Sequence, residues 1–133
     1  GVALKPGHPV ALGAVGATPV LMLPGYPVAC IVNAVQFLRP TLAAAGHREP
    51  APLPTTEARL ARKIPSEPGV RTFARVSLAE DGAGERTATP TRTKGAGVLS
   101  SVALAEGWVV VAEEREGYAE GASVAVEEWE GCR

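Results

Sequence analysis

Aromatic side chains are scarce in this chain: Trp, Tyr and Phe contribute two each, 5% of the sequence. A core built on aromatic rings is therefore excluded, and Val, Leu and Ala must supply the buried volume. An excess of one charge is also lacking. Thirteen Lys and Arg against fourteen Asp and Glu leave a formal net charge of -1, which argues against duplex nucleic acid or an anionic membrane surface as a partner. Cysteine is limited to Cys30, inside an apolar helix-like run, and Cys132, beside the C-terminus. No CxxC or Cys/His cluster accompanies them, so neither a disulfide nor a metal site is expected. The apolar stretches fall short of a membrane span. The opening Gly1-Val2-Ala3-Leu4-Lys5 has no basic region followed by a long apolar core, so no signal peptide is read there and a cytoplasmic protein is expected. The chain has no initiator Met and opens inside a predicted strand, as expected of a fragment.

What the sequence does have is turn residues, 15 Gly and 12 Pro in 133 positions. Two short clusters share one grammar: Lys5-Pro6-Gly7-His8-Pro9 and Pro24-Gly25-Tyr26-Pro27. Proline fixes φ and removes a donor, while glycine opens conformations closed to other residues. Such turns at strand ends hold backbone amides in fixed positions.

The pattern predicts a short strand over Val2–Lys5, a second apolar segment over Val10–Val15, a turn at Gly16-Ala17, and a strand buried on both faces over Thr18–Leu23. Pro27 sits where proline is favoured, at a helix start. Val28, Ile31, Val32, Val35, Leu38 and Leu42 recur at helical spacing, Pro40 kinks or restarts the helix, and Gly46 closes it. Strand, turn and helix are α/β grammar, but residues 1–48 supply too few strands for a complete domain. The proline-dense stretch 49–56 reads as a semi-rigid linker. From 57 to 131 the pattern becomes short strands separated by glycine turns, which predicts a small all-β barrel. Its inward side chains include Val70, Phe73 or Thr72, and Val76; a hairpin loop falls at Asp81-Gly82; buried or alternating strands cover "WVVVAEE" and Ser123–Trp129.

A turn running into a helix presents first-turn N–H groups without internal partners, and the helix dipole adds positive character. Pro24-Gly25-Tyr26-Pro27 is thus either an oxyanion site or a plain connector. Lys5 ends the preceding strand. If both strands share a sheet, both turns sit at one edge, where ligands bind in open α/β sheets, and its ammonium complements the amides as a point charge. Otherwise it is a solvated lysine. His8 is a second donor or a surface histidine, and His47 has no evident partner. "KGAGVLSS" (94–101), with its glycines and hydroxyls, is a weak polyanion loop or a simple connector. Glu113, Glu114, Glu116, Glu127, Glu128 and Glu130 read as a solvated acidic face. No Ser-His-Asp set or paired carboxylates emerge.

Taken in order, "KPGHPVALGAV", "TPVLMLPGYPVACIVNAVQFLRPTL", "SEPGVRTFARVSL", "ATPT", "GVLSSVALAEGWVVV" and the closing "SVAVE" resemble the MoeA family, the molybdopterin molybdenumtransferases, whose fold also forms the C-terminal domain of gephyrin. The resemblance covers nearly the whole chain. It implies the C-terminal part of a molybdopterin-binding α/β domain followed by a small β-barrel domain. It also implies a homodimer that inserts molybdenum from molybdate into adenylylated molybdopterin, releasing AMP in a magnesium-dependent step. By motif position Lys5 matches the family's functional lysine, Pro24 and Pro27 its two functional prolines, and Ser100 or Ser101 falls near a serine of the β domain. Gly7, His8, Gly25 and Tyr26 complete the implied binding turns. His8 stands where the family has a second lysine, and Tyr26 where it has asparagine. The acidic residues that serve magnesium lie upstream of residue 1 in the family, so this chain is expected to be inactive alone. The alternative implied is a non-catalytic pterin- or anion-binding or scaffolding module of the gephyrin type.

Overall fold

The computed structural model describes residues 1–91 and 103–129. It divides into two compact units, Gly1–Pro52 and Leu53–Arg133.

In the first unit, β1 (Leu4–Lys5) is followed by the antiparallel hairpin of β2 (Ala11–Val15) and β3 (Thr18–Met22), joined at the expected Gly16-Ala17 turn. The expectation of a strand buried on both faces fails for β3, whose residues are exposed or half-buried. Two strands form a single ladder, which leaves Leu12, Val15 and Met22 mostly exposed. Helix α1 (Pro27–Asn33) follows, then a π-helical turn over Ala34–Leu38, then α2 (Arg39–Ala45). The π turn is the consequence of Pro40. Proline has no N–H for the carbonyl four residues back and its ring crowds that carbonyl, so the helix widens instead of breaking. Arg39 N–H accordingly donates to Ala34 O, five residues back. Thr41 Oγ1 donates to Phe37 O at 2.6 Å. The helical run Pro27–Ala45 therefore reaches 19 residues and is long and apolar enough to cross a membrane by length and composition. That corrects the shorter stretches read from the sequence, where Pro40 divides the run. Gly46 stops the helix as expected, but the left-handed residue is the next one, His47, at φ +53°.

The second unit is a closed five-stranded barrel. Strand β4 (Thr55–Leu60) pairs in parallel with β7 (Arg86–Pro90), and β7 pairs antiparallel with β6 (Arg71–Glu80). Strand β6 meets β8 (Gly107–Val111), β8 meets β10 (Ser123–Glu128), and β10 returns to β4, all antiparallel. Closure removes the exposed edges that invite aggregation. A short pair, β5 (Ile64–Pro65) with β9 (Gly117–Tyr118), lies alongside. The small all-β barrel expected from the sequence is thus present. Five strands enclose little space, and the interior is filled by small side chains: Ala58, Leu60, Val76, Ala88, Val109, Val111, Val124 and Val126 are all buried. The Asp81-Gly82 loop forms as expected, with Asp81 Oδ1 accepting from the N–H groups of Ala83 and Glu85, both at 2.9 Å.

Along β6 the choice between Thr72 and Phe73 resolves by parity. Ala74, Val76 and Leu78 join the interior, so Phe73 points outward. There it meets Trp108 edge-on with centroids 5.4 Å apart, and Trp108 meets Trp129 at 5.5 Å. The few aromatics thus form a second, external cluster.

Three members of the acidic face are hydrogen-bonded to other strands as well as facing solvent. Glu113 accepts from Arg71 at 3.0 Å, Glu127 from Trp108 Nε1 at 2.8 Å, and Glu128 from the Thr56 hydroxyl. A hydrogen bond from its own backbone, and then Arg71, hold the Glu113 carboxyl below its ordinary value of 4.5. A depressed folded-state pKa contributes stability that is present above the unfolded value and lost as pH falls through the folded one. Urea midpoints are therefore expected to fall below pH 4.5 by more in the native chain than in Glu113→Gln. Parallel curves for the two proteins between pH 5 and pH 3 would remove this residue from the acid response.

Candidate functional site

Lys5 closes β1 with its side chain exposed. Pro6 follows through a cis peptide bond, and the chain then turns at Gly7, whose φ is +127°. That value is closed to ordinary residues. Gly7 is buried and its carbonyl accepts the Val10 N–H at 3.2 Å. Val10 is itself buried, anchoring the turn from below. The exposed His8 places Nδ1 2.8 Å from the Val2 carbonyl. A carbonyl only accepts, so Nδ1 carries the hydrogen and the ring is engaged with backbone.

The second turn lies between β3 and α1. Pro24 and Pro27 are half-buried, and Gly25 is exposed. Tyr26 precedes the helix in an extended conformation (φ -71°, ψ 127°) and offers no side-chain cap. Its carbonyl receives the Cys30 N–H at 2.8 Å, and its ring stands 79% exposed. Cys30 carries a free, half-buried thiol.

A shared sheet edge is not what joins these turns. Strand β3 pairs with β2 in a sheet of two, and β1 is not part of it. The tie runs through Asn33, the last residue of α1, which is fully buried. Its Nδ2 donates to Ala29 O at 2.8 Å and to Gly7 O at 3.1 Å. The sequence reading passes over Asn33, because an asparagine within an apolar helical pattern carries no local sign of a partner 26 residues away.

Within the barrel, the missed residue is Arg75. It lies opposite Trp108 in the β6–β8 register, on the outer face, yet is only 5% exposed. Burial pulls its guanidinium below the ordinary arginine value, and Nε has no hydrogen-bond partner among the described residues. A buried cation with an unanswered N–H is suited to hold an anion. A separate cleft on the barrel is lined by Leu78, Ala79, Glu80, Arg86, Glu106 and Glu128. None of the candidate binding residues read from the sequence lines it. Ser100, Ser101 and the rest of "KGAGVLSS", like Cys132 and Glu130, lie outside the described residues. Among the described residues no group of three or more His, Cys, Asp or Glu is placed to hold a metal ion.

Comparison with known proteins bears on both units. The family model for the MoeA C-terminal region (domain IV) matches residues 57–129. Over 126 residues, 95% of this chain, the sequence is 34% identical to a putative molybdopterin biosynthesis protein of Methanocaldococcus jannaschii, spanning 28% of that protein. Over 77 residues, 58% of this chain, it is 38% identical to molybdopterin molybdenumtransferase 2 of Mycobacterium tuberculosis, spanning 19% of it. The crystal structure of a molybdopterin biosynthesis MoeA protein from Pyrococcus horikoshii aligns with 97% of this chain at a TM-score of 0.80 and 28% identity; the match covers 31% of that protein. A molybdenum cofactor biosynthesis protein from Pyrococcus furiosus aligns at 0.79 and 28% identity, with 97% and 43% covered. The chain spans less than half the length of each of these proteins.

Proposed function

The chain belongs to the MoeA family of molybdopterin biosynthesis proteins, and from that premise we propose that it serves the insertion of molybdenum from molybdate into adenylylated molybdopterin, with release of AMP. Molybdate and the pterin are substrates in this reading. The observation that carries it is the Lys5–Pro9 turn: an exposed ammonium two residues from a buried glycine whose backbone is fixed by Val10 and Asn33. Lys5 neutralises charge on the phosphate-bearing pterin. Gly7 and His8 shape that turn, and Pro24, Gly25, Tyr26 and Pro27 shape the other. Holding a ligand in fixed geometry and placing charge where it is needed are the two contributions such a site makes to transfer chemistry.

The described residues do not fit a magnesium site, since no acidic cluster of sufficient size is present among them. Magnesium, in this proposal, is held by residues beyond these 133, and the chain by itself is inactive. Ser100 and Ser101 remain part of the proposed site on the strength of their motif position. Homodimeric assembly and a cytoplasmic setting belong to the same proposal, supported by family membership alone.

Isothermal titration with a stable pterin-phosphate surrogate tests the reading. Saturable binding is expected, weakened by about 1.5–3 kcal/mol in Lys5→Ala, the range for a hydrogen bond to a charged group. Equal affinity in the two proteins would remove Lys5 from the site and the reading with it.

A further inference from the structure

We propose that Asn33 is a positioning residue for Lys5, acting through Gly7. This rests on the functional reading above and adds a residue to its site. The carboxamide is fully buried, and both of its hydrogen-bond partners are carbonyl oxygens. That settles its orientation, since only the NH2 group satisfies two acceptors. Oδ1 is left buried without a partner among the described residues, an arrangement that disfavours keeping an amide at this position for stability alone.

The two contacts ask different things of the side chain. The bond to Ala29 O, four residues back, is local, and a threonine hydroxyl makes bonds of that kind within helices. The bond to Gly7 O crosses 26 residues of sequence and needs the longer reach of asparagine. Gly7 is fitted to it in return. A Cβ at Gly7 would stand 2.5 Å from Asn33 Nδ2, so the amide occupies the space that a glycine leaves. Lys5 is separated from Gly7 only by Pro6, whose ring fixes φ. Displacing the Gly7 carbonyl therefore displaces the lysine backbone. Asn33 also lies on the helix that Pro27 begins, which makes it the element through which the first turn is referred to the helix of the second. The side chain touches no ligand in this scheme; its work is to hold Lys5 where the phosphate meets it.

The test is a double-mutant cycle on the full chain, read by titration with the pterin-phosphate surrogate. Asn33→Thr keeps a local helix bond and gives up the reach to Gly7. It is expected to weaken binding about tenfold, and Lys5→Ala made in that background is expected to lose far less than in the native chain. Amide hydrogen exchange supplies the second readout. Val10, whose N–H is held by the same Gly7 carbonyl, is expected to exchange about tenfold faster in Asn33→Thr, with the barrel amides of Val109 and Val126 unchanged. Gly7→Ala breaks the contact from the other side without a substitution in α1. Should Asn33→Thr lose its helical circular dichroism, the same cycle is run with Gly7→Ala. If Lys5→Ala weakens binding but Asn33→Thr does not, or if the two effects simply multiply, the inference is overturned while the functional reading stands. If the native chain takes up no surrogate, the functional reading fails and this inference with it.

Discussion

Gly7→Ala is expected to destabilise the first unit by about 3 kcal/mol and to weaken binding of a pterin phosphate at the Lys5 turn at least about tenfold. Two independent penalties add. At φ +127° a side chain is strained, by about 1–3 kcal/mol for such sparsely populated backbone. The new Cβ also meets Asn33 Nδ2 at 2.5 Å; the amide is buried on a helix with little room to retreat, and overpacking of this kind costs about 1–3 kcal/mol. Relief of the clash requires either the helix or the turn to move, and either movement shifts Lys5. Each unit has its own optical probe. Both tryptophans, Trp108 and Trp129, belong to the barrel, while Pro27–Ala45 is the long helical run of the first unit. In urea the ellipticity at 222 nm is therefore expected to be lost at a clearly lower concentration in Gly7→Ala, with the tryptophan transition close to that of the native chain. Coincident, unshifted transitions would show that the turn tolerates a methyl group, and the account of Gly7 would be wrong.

The barrel was readable because its physics is local and periodic. Thr56, Ala58 and Leu60 alternate with exposed neighbours along β4, and Val124 and Val126 do so along β10, so a two-residue period names the inward face without knowledge of the partner strand. Phe73 was the exception. As the largest side chain of its strand it draws attention as core, but a five-stranded barrel admits Val and Ala more readily than a ring, and the aromatic packs outside. The bonds of the glutamates are illegible for a different reason. A run of carboxylates reads as solvated until the donors arrive, and Arg71, Thr56 and Trp108 come from other strands. In the first unit the same limit applies to β3, whose apolar run says it can be buried without saying what buries it.

The site divides along the same line. Pro-Gly turns announce themselves in four or five residues, so both turns and Lys5 are legible in the sequence. The joining of the turns is not, because sheet membership is a long-range property and the expected shared sheet does not form. Asn33 and Arg75 share one feature that sequence cannot show: each is a polar group whose significance lies in being buried. Asn33 in a helix and Arg75 in a strand are unremarked as letters. With 0% and 5% exposure, each has to be explained by what it holds.

The largest loss of stability is expected at Trp108. Trp108→Ala removes a side chain that is 1% exposed and stands between two other rings, edge-on to both Phe73 and Trp129. Truncations of buried Phe or Trp to Ala cost about 3–5 kcal/mol. Here the cavity opens on the outer face, where strands β6 and β8 are already fixed by their ladder and cannot close over it. The substitution also strips Glu127 of the indole N–H it accepts at 2.8 Å. Trp108→Phe separates the two terms. It restores most of the ring contact but not the donor, so its cost is expected near the 1.5–3 kcal/mol of a hydrogen bond to a charged group, less whatever solvent returns to the carboxylate. Urea denaturation followed through the remaining Trp129 reads both variants. If Trp108→Ala and Trp108→Phe fall together near the native midpoint, the external aromatic cluster is ornament and the Val and Ala interior alone holds the barrel. If they separate in the order Ala, Phe, native, a barrel too narrow to house rings has gained its firmness from those on its outside.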